Sequence, residues 1–250
     1  MDRYIAKIGS SKHTTGDPSK RLSELHYRHL VTVPFEDLSI HHNQPIELEV
    51  NRLYEKVIDY NRGGFCYELN SLFYHLLTHL GYEVSIISAR IFDDEGVPGP
   101  EYDHMALLVQ INELWLCDVG FGDLFLSPIK VMCEDAQFDG RKWFKIERTG
   151  EEDEYVLLES KDQKRFEKKY LFTLQPKKIP EFYDQCYWKQ NHPDSYFVKN
   201  KICTIPTPDG RKTLFNSKYI VKSGGLRTHT SIQSSQHESA ILRQEFGISI

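Results

Sequence analysis

Apolar residues recur at Leu69, Leu72, Phe73, Leu76, Leu77 and Leu80, and this i, i+3, i+4 spacing predicts a helix with one buried face. Gly81 follows as a residue able to close it in a left-handed conformation. Asp17 before Pro18 reads as an N-cap with a first-turn proline, starting a helix to about Leu30. Val50 to Tyr60 is helical in pattern as well. Between Tyr82 and Tyr170 the pattern changes to short runs at Val84 to Phe92, His104 to Ile111, Leu114 to Val119, Trp143 to Arg148 and Tyr155 to Leu158. Short strands with tight turns predict an antiparallel barrel or sandwich. Lys161 to Lys169 is mixed in charge and reads as a solvated face. Strand-like pieces at Lys201 to Ile205 and Thr213 to Val221 precede a closing helix around His237 to Phe246.

The start of the Leu69 helix carries candidate chemistry. Arg62-Gly63-Gly64-Phe65-Cys66 puts a thiol in or just before the first turn. Unpaired N–H groups and the positive end of the helix dipole favour a thiolate there, and the glycines are read as letting backbone approach a substrate closely. A free cysteine at an apolar junction is ordinarily a small core residue, so its partners decide. His104 opens one predicted strand and Asp118 ends the next, the order a thiol triad uses: a base for the thiol and a carboxylate that fixes the tautomer of that base. For His104 and Asp118 to meet they must share a sheet face. A two-residue turn at Asn112-Glu113 gives paired residues the odd sum 225 and separates them. A three-residue loop or a bulge makes the sum even, for example 226, and unites them. If the triad is real, the hairpin is irregular.

These motifs resemble those of the arylamine N-acetyltransferases. Arg62 to Cys66 matches the family's RGG(F/W)C nucleophile loop, and His104 and Asp118-Val119-Gly120-Phe121-Gly122 match its other triad segments. Val33-Pro34-Phe35-Glu36-Asp37-Leu38 with Ile40-His41 matches its VPFENL-x-(I/M)H signature, with Asp37 where asparagine is usual and Asn43 where a glycine often stands. The resemblance implies an α+β fold in three parts: an N-terminal helical bundle (1–81) carrying the nucleophile, a central antiparallel β-barrel (82–190) carrying His104 and Asp118, and a short C-terminal α/β lid (191–250). The catalytic core would be of the cysteine-protease and transglutaminase kind. It also implies ping-pong transfer of acetyl from acetyl-CoA, through a Cys66 thioester, to small aromatic amines, arylhydrazines or hydrazides. Catalysis would fall to Cys66, His104 and Asp118, and the pocket walls to Phe35, Phe65 and Phe121. Glu36, Arg62, Gly120 and Gly122 would support them. Lys7 takes the place of an arginine that in the family pairs with the glutamate of the VPFEN motif, here Glu36.

Composition narrows the classes. With 31 basic and 36 acidic residues the net charge is −5, and no basic stripe with interleaved aromatics points to nucleic acid. Five cysteines without a CxxC pair are expected to stay reduced. The absence of a leader-like start or a membrane-length apolar run leads to the expectation of a soluble, cytoplasmic enzyme with no membrane partner. His26/His29 and His41-His42 lack a third ligand at zinc-like spacing, so no metal is expected, and these histidines read as solvated or capped. Asp93-Asp94-Glu95 reads as a polar loop and Cys117 as core. Asp123 would repel phosphate, which leaves Lys222 and Arg227 around Ser223-Gly224-Gly225 as candidates for the coenzyme phosphates. Competing readings are transglutaminase-like or cysteine-protease chemistry on the same triad, or a binding protein that retains the pocket.

Overall fold

The computed structural model describes residues 1–11, 16–151 and 153–250. Five helices come first: α1 (Asp2–Lys7), α2 (Pro18–Thr32), α3 (Leu38–His41), α4 (Val50–Tyr54, continued by a π-helical turn, Glu55–Asp59) and α5 (Cys66–His79). A short strand, β1 (Phe35–Glu36), lies among them. Then follow β2 (Glu83–Ile91), β3 (His104–Gln110), β4 (Leu114–Cys117), β5 (Ile129–Lys130), β6 (Gln137–Phe138), β7 (Trp143–Arg148), β8 (Glu154–Ser160) and β9 (Glu167–Thr173). The last part holds α6 (Tyr183–Asn191), α7 (Tyr196–Lys199), β10 (Ile202–Thr207), β11 (Gly210–Phe215), β12 (Lys218–Ser223), β13 (Leu226–Ser231) and α8 (Ser235–Phe246). The class is α+β, as the sequence predicts. Among the described residues no helix is long and apolar enough to cross a membrane.

Strands β2 to β9 form one antiparallel sheet in the order β5-β4-β3-β2-β9-β8-β7-β6, and β5 comes back against β7, so the sheet curls into a nearly closed barrel. Strand β3 explains why the barrel sits on the helices. Its odd residues Met105, Leu107 and Val109 join the core shared with α5, while Ala106 and Leu108 fill the barrel interior. A strand buried on both faces reads as a continuous apolar run, which is the pattern of this segment. Leu69, Leu72, Phe73, Leu76 and Leu77 of the α5 stripe are fully buried and Leu80 partly, and Gly81 closes the helix at φ +86°.

The β3–β4 hairpin has an even register. Gln110 pairs with Leu114 and Leu107 with Cys117, a constant sum of 224, around a three-residue loop at 111–113. The irregular hairpin required by the triad is therefore present, one residue pair away from the 226 example. Continued past Cys117, this register sets Asp118 opposite Ala106, on the face of His104.

Other elements depart from the sequence reading. Lys161 to Lys169 is largely exposed, as read, but its last three residues open a strand that the sequence reading did not place, Glu167 to Thr173, internal between β2 and β8. Thr213 to Val221 is a hairpin of β11 and β12 that turns at Asn216, which takes φ +51°. A second sheet, in the order β1-β10-β11-β12-β13, pairs Phe35 with Thr204 and Glu36 with Cys203. The segment just ahead of the Arg62 to Cys66 loop is thus hydrogen-bonded to the last third of the chain.

Candidate active site

Cys66 is the first residue of α5, and two buried carboxylates, Glu36 and Glu68, hold the loop before it. Glu36, fully buried, takes a bidentate contact from Arg62 (Nε to Oε1 3.0 Å, a terminal nitrogen to Oε2 3.2 Å) and accepts from the amides of Gly63 (3.2 Å) and Leu38 (2.7 Å). Glu68 accepts from the Phe65 amide (3.1 Å) and from Lys56 Nζ (2.7 Å), capping the helix just ahead of the thiol. The expected pairing of Lys7 with Glu36 does not occur. Lys7 reaches Asn61 instead, and Arg62 supplies the guanidinium that a bidentate contact needs. The chain itself requires these glycines: a Cβ on Gly63 would land on the Pro34 carbonyl oxygen, and one on Gly120 would fall 2.7 Å from Cys66 Cα. The first intrahelical bond of α5 is Leu69 N to Phe65 O (3.0 Å). The amides of Cys66 and Tyr67 are thereby left as first-turn donors beside the thiol.

His104 and Asp118 meet across the hairpin, His104 Nε2 lying 2.7 Å from Asp118 Oδ2, both side chains essentially inaccessible. That contact leaves Nδ1 as the ring nitrogen available to Cys66, whose sulfur lies close enough to act on the imidazole. Burial alone would lower the His104 pKa, but the Asp118 carboxylate and then the Cys66 sulfur outweigh it and raise it to about 10. Asn70, one helical turn beyond Cys66, ties the set together. Its Nδ2 donates to Asp118 Oδ1 (3.0 Å) and the Met105 carbonyl (2.6 Å), and its Oδ1 accepts from the Val119 amide (2.9 Å). The Gly120 amide also donates to Asp118 Oδ1 (3.0 Å). Tyr67 Oη donates to the Tyr102 and Asp103 carbonyls (2.8 and 3.1 Å), fastening the strand that delivers His104 to α5. The partners of Asn70 and Tyr67 lie at least thirty-five residues away, so no local sequence signal marks these two roles.

Beside His104, against which Phe121 packs, lies a cleft of about 620 Å³ lined by Phe35, Phe121 and Gly122 together with Lys189, Arg211 and Lys222. Phe121 meets His104 edge-on, centroids 5.4 Å apart. Phe65 is placed differently from expectation: it is fully buried, packed against Tyr67 and Phe197 behind the wall. Asp123 is held by Arg211 (3.3 Å) and Lys142 (3.2 Å), so its charge is balanced rather than left to repel an anion. Lys222 lines the cleft, while Arg227 sits exposed on β13. His26 and His29 are fully buried, contrary to the solvated reading, because they share the α2 face of Leu22 and Leu25. Among the described residues no group of three His, Cys, Asp or Glu side chains could hold a metal ion.

Two consequences are measurable. Cys117, Cys186 and Cys203 are buried and their thiols pushed upward by desolvation. At mildly acidic pH iodoacetamide is therefore expected to label Cys66 ahead of these three, and equal labelling of Cys117, Cys186 or Cys203, read by peptide mass spectrometry, would count against Cys66 as the reactive thiol. Asp37 gives the second. Its Oδ1 accepts from the Ile202 amide (2.8 Å) and its Oδ2 has no partner. Burial, with Glu36 adding to it against Lys201, raises its pKa to about 8. The folded protein thus keeps a proton that the unfolded chain gives up near pH 4, and stability falls as pH rises between about 4 and 8, by up to about 1.4 kcal/mol per pH unit. Asp37→Asn keeps the acceptor for Ile202 and removes the charge. Thermal melts are expected to show the variant gaining several degrees at pH 8 and little at pH 4; an equal gain at both would contradict the assignment.

A family profile described as N-acetyltransferase matches residues 20–250. The pineal gland arylamine N-acetyltransferase isozyme NAT-3 of Gallus gallus is 30% identical, over 100% of this chain and 94% of its own. Among solved structures, the arylamine N-acetyltransferase of Bacillus cereus, described as having a unique Cys-His-Glu catalytic triad, superposes with a TM-score of 0.90 at 26% identity, covering 100% of this chain and 98% of that one. The enzyme of Salmonella typhimurium superposes with a TM-score of 0.89 at 26% identity, covering 99% and 90%.

Proposed function

The chain belongs to the arylamine N-acetyltransferase family, and from that premise we propose that it acetylates arylamines, arylhydrazines or hydrazides with acetyl-CoA as donor, through a thioester on Cys66. The observation that carries this reading is the buried chain of contacts from Cys66 through His104 to Asp118, with the His104–Asp118 contact at 2.7 Å. The raised His104 pKa favours an imidazolium beside the Cys66 sulfur at neutral pH. The thiolate attacks the acetyl carbonyl of acetyl-CoA, the carbon–sulfur bond to the coenzyme breaks, and the imidazolium proton goes to the departing CoA thiolate. Neutral His104 then takes a proton from the amine as its nitrogen attacks the Cys66 thioester, which releases the amide and restores the ion pair. Amides of the first turn of α5 are the proposed donors to the oxyanion. Phe35 and Phe121 offer apolar walls to a flat acceptor, and Lys222 with Arg211 offers charge to the coenzyme phosphates.

Initial rates test the sequence of events. Plots against acetyl-CoA at several arylamine concentrations are expected to give parallel lines, because CoA leaves before the amine reacts. Intersecting lines would mean that both substrates bind together and that the amine attacks acetyl-CoA directly.

A further inference from the structure

The buried histidine pair of α2 takes no part in the chemistry above, yet one member touches it. His26 is fully buried, stacked on Phe125 with centroids 5.5 Å apart and edge-on to Phe73 at 6.1 Å. Its Nδ1 is 3.1 Å from the Leu126 carbonyl oxygen, and its Nε2 is 3.2 Å from the backbone nitrogen of Asp118. Those two partners fix its state. A carbonyl only accepts and a backbone amide only donates, so Nδ1 carries the proton and Nε2 presents its lone pair. A second proton would aim at the Asp118 N–H. The charged or titratable groups facing the ring are Asp118 and Asp139 across the interface and His29 on its own helix. Burial outweighs the carboxylates and holds the His26 pKa near 4, so the ring remains an acceptor at neutral pH.

The place of the contact matters. Asp118 lies one residue beyond the last ladder pair of β4, Leu107 with Cys117. From there three successive amides are each satisfied by a side chain: Asp118 N by His26, Val119 N by Asn70 and Gly120 N by Asp118 itself. A backbone that pivoted at Asp118 would swing the carboxylate away from His104, and an error of about 1 Å in such a contact can cost about a hundredfold in rate.

We propose that His26 is a positioning residue for the transfer reaction, holding through the Asp118 N–H the backbone from which Asp118 presents its carboxylate to His104. This rests on the reading of Cys66, His104 and Asp118 as the catalytic set. Two variants separate positioning from packing. His26→Gln carries an amide oxygen out to roughly the position of Nε2, whereas His26→Asn reaches only as far as Nδ1. The readout is the pH profile of Cys66 alkylation by iodoacetamide, with near-ultraviolet circular dichroism to confirm folding. The Gln variant is expected to keep the wild-type profile. The Asn variant is expected to titrate at higher pH and to react about tenfold or more slowly at mildly acidic pH, because a displaced Asp118 stabilises the imidazolium less. An Asn variant with the wild-type profile would overturn the proposal, and so would a Gln variant as impaired as Asn. Nitrogen NMR of the wild-type protein tests it without relying on any variant to fold: His26 is expected to show a protonated Nδ1 and a bare Nε2, and the opposite tautomer would overturn it. Failure of Cys66 to react selectively in the wild-type protein would instead strike the nucleophile assignment, a separate result.

Discussion

Cys66→Ser is expected to abolish acetyl transfer, with a loss of roughly 10⁴-fold or more, the scale on which removal of a nucleophile acts in acyl-transfer triads. The substitution is nearly isosteric in a site 3% exposed, so the fold should persist. Chemistry changes instead. A hydroxyl is far less acidic than a thiol, and a His104 held protonated to about pH 10 by Asp118 is a weak acceptor for a serine proton. The capping of α5 by Glu68 and the clamp of Arg62 on Glu36 do not involve the sulfur, so melting temperature and circular dichroism should match the wild type. A folded serine variant with near-normal turnover would rule out thioester catalysis.

Asp118→Asn is expected to lower turnover by roughly 10²- to 10⁴-fold while leaving the structure largely intact. Asp118 Oδ2 meets His104 Nε2, and Oδ1 accepts from Asn70 and from Gly120. An amide can satisfy one of these oxygen positions but turns an N–H toward the other, so either His104 or the two donors lose an acceptor. The loss of charge also removes the main influence that raises the His104 pKa. Alkylation of Cys66 should then shift to higher pH in step with the loss of turnover. Should the variant keep most of its activity, another carboxylate orients His104. Asp118→Glu is an informative companion, since a relative of the same fold is described with glutamate in its triad.

What could be read from the sequence follows from how far apart the cooperating residues are. The α5 stripe, the loop ahead of Cys66, and β3 and β4 are local patterns, and each lies where its spacing put it. The need for an even register was also legible, because it is arithmetic on two residue numbers. Strand β9 was hidden because its first residues, Glu167 and Lys168, face solvent while Tyr170 to Phe172 are buried. The hairpin of β11 and β12 was hidden because Asn216-Ser217 is a weak turn signal between two strand-like runs. Contacts of long sequence separation were out of reach: His26 meets Asp118 across 92 residues and Arg62 meets Glu36 across 26. A signal for His26 did exist, since it shares the α2 face of Leu22 and Leu25, where a solvated histidine does not belong.

The central claim is a covalent acetyl group on one sulfur. Intact-mass spectrometry of the protein after mixing with acetyl-CoA alone, followed by peptide mapping, tests it without an acceptor present. The account predicts an increase of one acetyl group, located on Cys66, absent from Cys66→Ser and discharged on adding an arylamine. An unmodified protein, or an acetyl group on another residue that an arylamine does not remove, would contradict it.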